Sequence, residues 1–247
     1  MTPLIFFNDL KRALYYIAKK YSTMKQLIFL LFIASFLVFG CVEPPVVFND
    51  AQPTGLEAKA YFEPIYRGVF QCESDSGIVY VKAKTIYKEL TYQFKTSIAE
   101  IDSLEESKLT DGQLWIEGLK DPIPVNIEGD SVSGALTFRD TLFEVGENQV
   151  LKYFRGHHIL NKRIDEDKWE VLVLSVDYDL NLRLSEAVMP EDLSELEKIT
   201  PVKDISTEDK SQILLVPTVA EFKELLKSRL LFQECDLYKR LKLPTAI

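Results

Sequence analysis

Residues 169–176 read WEVLVLSV. Valine and leucine occupy successive positions there, so both faces of an extended chain would be apolar. A strand that is buried on both faces has this composition, and the run therefore predicts a central strand of a sheet. In the next segment Leu180, Leu182 and Leu184 alternate with polar residues, which predicts a neighbouring strand with one exposed face.

Further strands are predicted on the N-terminal side of this run. Residues 69–70 and 78–81 are rich in β-branched and aromatic residues, and a turn signal at residues 75–77 separates them. Residues 85–101 fit a strand or a helix, because their apolar positions suit both periods, and we favour the strand. From residue 113 onward, turn residues separate short β-rich runs at regular spacing, which predicts an antiparallel meander.

The C-terminal part of the chain changes to helical spacing. Residues 190–199 predict one helix, and residues 213–216 predict a short buried strand after it. Thr218 and Glu221 then have the spacing of a capping box, which begins a second helix. Its predicted apolar stripe contains Phe222, Leu225, Leu226 and Leu230. We therefore expect an α+β fold, a mostly antiparallel β-sheet meander covered by a C-terminal helical segment.

Charge excludes one class of partner. The 247-residue chain has a net charge of −9, and residues 1–40 contain five basic residues and one acidic residue. The remaining 207 residues therefore contain 24 basic and 37 acidic residues. Because nucleic-acid affinity depends largely on lysine and arginine displacing counterions, we expect no nucleic-acid partner.

The N-terminal part resembles a targeting signal. Residues 24–41 read MKQLIFLLFIASFLVFGC, in which one basic residue precedes an apolar run that ends at Gly40 and Cys41. The run over residues 27–39 is shorter than the roughly 20 residues that cross a bilayer. This layout is typical of a signal peptide. Its end, Val38-Phe39-Gly40-Cys41, resembles the lipobox of bacterial lipoprotein precursors.

The resemblance implies a lipid anchor and a cleavage site. In that family a peptidase cuts before the cysteine, here between Gly40 and Cys41, after the thiol has received a diacylglycerol, and the freed amine is usually acylated with a fatty acid such as palmitate. Two or three acyl chains hold a protein stably on a membrane. We expect the bacterial cell envelope, with the outer membrane favoured. An uncleaved signal anchor and secretion after cleavage elsewhere are the alternatives.

The resulting organisation has four parts. Residues 1–23 form an N-terminal extension, which either precedes a true start at Met24 or belongs to a long basic region of the signal. Residues 24–40 form a signal helix, residues 41–55 the acylated cysteine and a proline-containing tether, and residues 56–247 a single globular domain.

Few residues have the pattern of a functional site. His157 and His158 are neighbours on a predicted strand, so they point to opposite faces, and we expect each to be an exposed imidazole. Residues 177–181 match the first half of a calcium loop, but the glycine and the glutamate that should follow are absent. Cys72 and Cys235 are either free thiols or a disulfide. We expect no catalytic residue, cofactor or metal.

Two functions remain as hypotheses. The first is a non-enzymatic binding or accessory module, tethered through Cys41, that takes a protein or a small apolar ligand. The second is an envelope hydrolase with a dispersed site at Asp130, Ser131 and His157. Gly129-Asp130-Ser131 resembles the nucleophile block of one class of esterases, but a turn before a strand explains it equally well.

Overall fold

The computed structural model describes residues 43–104, 107–119 and 121–242, so the predicted signal helix, Gly40 and Cys41 lie outside it. Within these residues the chain forms fifteen β-strands and three short α-helices. The predicted α+β class is therefore wrong, and the protein is mainly β. The strands are β1 (Val46–Phe48), β2 (Gly68–Cys72), β3 (Ile78–Val81), β4 (Thr85–Ser97), β5 (Ser107–Thr110), β6 (Gln113–Ile116), β7 (Ile123–Glu128), β8 (Ser131–Glu144), β9 (Gln149–Phe154), β10 (His157–Asp165), β11 (Lys168–Val176), β12 (Leu182–Ala187), β13 (Val202–Asp204), β14 (Ile213–Leu215) and β15 (Phe232–Lys242).

The helices are short and do not form the predicted C-terminal cover. They are α1 (Ile98–Asp102), α2 (Leu193–Glu197) and α3 (Val219–Ser228). The capping box that was predicted at the start of α3 is confirmed, since the Thr218 side chain accepts from the Glu221 amide and the Glu221 carboxylate accepts from the Thr218 amide. After α3 the chain returns to the sheet as β15, which pairs with β12 and β2 on its two edges.

The described residues divide into two compact units, one of residues 43–90 and 138–242 and one within residues 91–137. In the larger unit, β9, β10, β11 and β12 pair in sequence order as antiparallel neighbours. The order then departs from a meander, because β15 lies between β12 and β2. A parallel pair, β1 with β14, makes the sheet mixed.

Strand β1 lies inside the stretch that was predicted to be a tether. Its residues Val46, Val47 and Phe48 are fully buried and pair with Ile213–Leu215 of β14. The backbone groups of these three apolar residues form hydrogen bonds with a strand that is distant in the sequence. The flanking prolines are typical of a linker, so the sequence pattern did not indicate this strand. The structure differs here from the expected tether, because residues 46–48 are packed.

The predicted central strand is confirmed, and β11 is buried on both faces. Val171 and Val173 belong to one buried cluster, together with Phe48 of β1 and Phe222 of α3. Leu172 and Leu174 point to the opposite face and belong to a second cluster. That cluster is filled by large side chains, among them Phe62, Phe70, Phe143 and Tyr238.

The smaller unit has its own core. It contains β5, β6, β7 and α1, together with parts of β4 and β8. Ile101, Leu114, Ile123 and Val132 are its buried residues. Of the two alternatives for residues 85–101, the strand is confirmed as far as Ser97, which caps α1.

Candidate functional site

Four polar side chains converge in the larger unit and form what we call the Cys72 cluster, made of Cys72, Asp75, Lys88 and Asp236. Cys72 is the last residue of β2, and Asp75 lies in the turn that leads to β3. Lys88 comes from β4 and Asp236 from β15. The antiparallel register pairs Cys72 with Tyr238, two residues after Asp236 on the adjacent strand. Four separate segments therefore supply the cluster.

Hydrogen bonds connect all four side chains. The Cys72 thiol donates to Asp236, with Sγ 2.9 Å from Oδ1 and 3.0 Å from Oδ2. Lys88 Nζ donates to Cys72 Sγ over 3.2 Å and lies 2.7 Å from Asp75 Oδ2. Asp236 Oδ2 is 3.9 Å from the same ammonium. The thiol thus lies between a cation and a carboxylate.

The cluster is largely removed from water. Cys72 is 1% exposed, and the side chains of Lys88 and Asp236 are each 14% exposed. Burial alone would lower the pKa of Lys88, but its hydrogen bonds to Asp75 and Cys72 outweigh this effect and raise that pKa. Burial would raise the pKa of Asp75, and the contact with Lys88 together with the Gly77 amide lowers it instead. Lys88 and Asp75 are therefore a charged pair at neutral pH.

Gly77 makes room for the lysine. A Cβ atom at this position would lie 2.7 Å from Lys88 Cε and 3.0 Å from Asp75 Oδ1. The 2.7 Å distance is shorter than real Cβ contacts, so a larger residue here would force the lysine side chain to shift. The 3.0 Å distance would require Asp75 to move by a few tenths of an ångström. The Asp75-Ser76-Gly77 turn signal that was visible in the sequence thus has a second role in shaping the cluster.

A second buried group surrounds His158. Its ring contacts Phe62, Tyr66 and Tyr153 in edge-to-face geometry, with ring centroids 5.2, 4.2 and 5.3 Å away. The imidazole Nε2 accepts a hydrogen bond from the Glu63 amide over 3.2 Å. Burial lowers the pKa of His158 to about 4, so the ring is neutral at physiological pH. The expectation of an exposed imidazole is wrong for His158, which is fully buried.

The other sequence candidates lie in ordinary structural surroundings. Asp177 accepts from the amides of Asp179 and Asn181, so this stretch closes a turn through the Asp177 side chain. Asp130 and Ser131 belong to the smaller unit, at the turn into β8, whereas His157 belongs to the larger unit. Within the described ranges, no group of three or more histidine, cysteine, aspartate or glutamate side chains could hold a metal ion.

Both described cysteines are free thiols. Cys72 is buried, and Cys235 is exposed and donates to the Leu184 carbonyl over 3.4 Å. In the sequence Cys72 attracted notice only as a possible disulfide partner. Lys88 and Asp236 gave no signal, because their proximity to Cys72 depends on strand pairing across 16 and 164 positions.

Comparisons with protein-family models, with curated proteins and with solved structures found no match.

Proposed function

We propose that this chain is a lipoprotein of the bacterial cell envelope, anchored through lipid on Cys41, whose folded part is a non-enzymatic binding or accessory module. The observation that carries the proposal is the segment 24–41, in which a basic residue and a short apolar run end at Gly40-Cys41. None of the helices in the described ranges has the length and hydrophobicity that crossing a bilayer requires.

The start of the folded part is compatible with an anchor at Cys41. Glu43 forms an ion pair with Lys210, and the Pro44 carbonyl accepts a hydrogen bond from Gln212 Nε2 over 2.7 Å. Only Val42 separates Cys41 from Glu43. Since consecutive Cα atoms are about 3.8 Å apart, a lipid-bearing Cys41 would lie within about 8 Å of the folded part. The module would then work directly at the membrane surface.

The buried polar groups support a role without catalysis. Lys88 and Asp75 neutralise each other inside the Cys72 cluster, and the pKa of His158 is too low for proton transfer near neutral pH. The side chains of the Cys72 cluster are hydrogen-bonded to one another, and His158 Nε2 accepts a hydrogen bond from the Glu63 amide. The alternative of a hydrolase at Asp130, Ser131 and His157 gains no support from their division between two units.

The anchor is tested by Cys41→Ser in a bacterial host that is supplied with a labelled fatty acid. Wild-type protein should incorporate the label and enter the detergent phase of a two-phase extraction, and Cys41→Ser should do neither. Cys235→Ser is the matched control, since it removes an exposed thiol outside the signal and should behave as wild type. Label that persists in Cys41→Ser, or wild-type protein that stays in the aqueous phase, would contradict the proposal.

A further inference from the structure

We propose that Cys72 and Lys88 are an oxidation-sensitive pair that forms a covalent sulfur–nitrogen crosslink when Cys72 reacts with hydrogen peroxide. The inference is independent of the lipid anchor. It rests on the contact between Lys88 Nζ and Cys72 Sγ, which are 3.2 Å apart, and on the gap at Gly77 that admits the lysine.

Because Cys72 is buried, only a small oxidant is a candidate for reaction with its thiol. Because the thiol is 1% exposed, a bulky disulfide such as oxidised glutathione cannot reach its sulfur. Hydrogen peroxide is small and neutral, and the exposed edge of the cluster is at Asp75, whose side chain is 39% exposed. Peroxide oxidises a thiol to a sulfenic acid, which condenses with a nearby nitrogen to give a sulfenamide.

The two steps balance. In the first step Cys72 Sγ attacks one peroxide oxygen, the S–O bond forms and the O–O bond breaks. The departing hydroxide takes the thiol proton, which is hydrogen-bonded to Asp236, and leaves as water. The Lys88 ammonium then releases one proton to solvent at the edge of the cluster where Asp75 is exposed, and the free amine attacks the sulfenic sulfur. The S–N bond forms, the S–O bond breaks, and the departing hydroxide takes the second amine proton as water. Sulfur loses two electrons in total, and the peroxide gains them.

Proximity favours this product over deeper oxidation. The lysine nitrogen already touches the sulfur, so its attack is intramolecular, whereas oxidation to the sulfinic acid requires a second peroxide from solution. The crosslink would join β2 to β4 and so tie the two ends of the β2–β3–β4 arrangement.

The test is mass spectrometry on the reduced full chain after treatment with hydrogen peroxide. The expected product has lost two hydrogens, contains one linked pair of peptides that carry Cys72 and Lys88, and reverts with a thiol reductant once the chain has been unfolded. Lys88→Arg keeps the cation but lacks the reactive amine, so it should give the sulfinic acid and no linked pair. Gly77→Ala should reduce the linked product by displacing the lysine, with every reacting group retained.

Lys82→Met is the matched control, because Lys82 directly follows β3 and contacts the Tyr87 ring instead of a thiol. It should crosslink as wild type does, and near-UV circular dichroism checks that each variant is folded. A disulfide between Cys72 and Cys235, a sulfinic acid as the sole wild-type product, or an equal yield of linked peptides in Gly77→Ala would each overturn the proposal.

Discussion

His158 is buried as a neutral imidazole among three aromatic rings, and this position has a consequence for acid stability. Its pKa is about 4 in the folded chain and about 6.5 when the chain is unfolded. Between these values the unfolded state binds a proton that the folded state does not bind. The free energy of unfolding should therefore fall as pH falls from about 6.5 to about 4, by about 3 kcal/mol from this residue.

The substitution His158→Gln removes this titration. We expect the variant to lose less stability than wild type between pH 6.5 and pH 4, as measured by urea unfolding at a series of pH values. His157→Gln is the control, since burial lowers the pKa of the partly buried His157 less strongly. Parallel pH profiles for wild type and His158→Gln would show that the imidazole is not held neutral.

The Cys72 cluster shows why polar sites of this kind escape sequence analysis. A buried lysine becomes tolerable when carboxylates and a thiol surround it, and those partners come from other strands. The sequence of β4 indicates only that apolar and polar residues alternate near Lys88. His158 escaped for the related reason that its aromatic neighbours Phe62 and Tyr66 lie about 90 positions away.

The loop after strand β1 is held in place by the buried side chain of Lys152. Lys152 of β9 donates from Nζ to the carbonyls of Ala51 and Pro53 over 2.7 and 2.8 Å, and it is 7% exposed. Nearby, the Asn161 side chain accepts from the Gln52 amide and donates to the Gln52 carbonyl. Residues 50–53 are thus bound by side chains of β9 and β10.

Lys152→Met should lower the free energy of unfolding by about 1 to 3 kcal/mol, because two buried carbonyls lose their donor while the aliphatic volume is kept. Urea unfolding gives the loss, and faster amide exchange around residues 50–53 would locate it. Lys162→Met is the control, since its partly exposed ion pair with Glu170 should contribute less than about 1 kcal/mol. Equal stabilities for the two variants would mean that the hydrogen bonds from Lys152 to Ala51 and Pro53 do not stabilise the fold.

Helix α3 packs through Phe222 and Leu225, which are both fully buried. The Phe222 ring is fully buried, with ring centroids 6.2 Å from Phe48, 6.1 Å from Phe154 and 5.9 Å from Phe232. Phe222→Ala should cost about 3 to 5 kcal/mol in equilibrium unfolding. Val219→Ala on the same helix is the control, because Val219 is exposed and should change stability by less than about 1 kcal/mol. A loss under about 1 kcal/mol for Phe222→Ala would exclude α3 from the core.

Sequence periodicity predicted some elements and missed others for identifiable reasons. Strands with apolar runs, such as β3, β11 and β14, and the capped start of α3 follow from local patterns. Strand β15 has no such pattern, because charged residues occupy about half of its positions. Those charges find distant partners: Glu234 pairs with Arg183, and Arg240 donates to the carbonyls of Ile65 and Arg67. The prediction of a C-terminal helical cover was wrong because the sequence pattern gave no indication of this strand.

The larger unit contains a sheet with two buried faces, and the sequence of the N-terminal segment resembles the signal of a lipoprotein precursor, on which our proposal rests. The clusters on both faces of β11 are filled by large side chains, so stability comes mainly from apolar burial. The excess of acidic residues after position 40 keeps the surface negative, which disfavours direct adsorption on anionic lipids. Attachment to a membrane would therefore depend on lipid at Cys41.

The most direct test of this account is the mass of the N-terminal peptide of the protein isolated from bacterial membranes. We predict that the mature chain begins at Cys41 and that this residue carries a diacylglycerol and an amide-linked fatty acid. A mature chain that retains residues 24–40, or that begins at another residue without lipid, would contradict it.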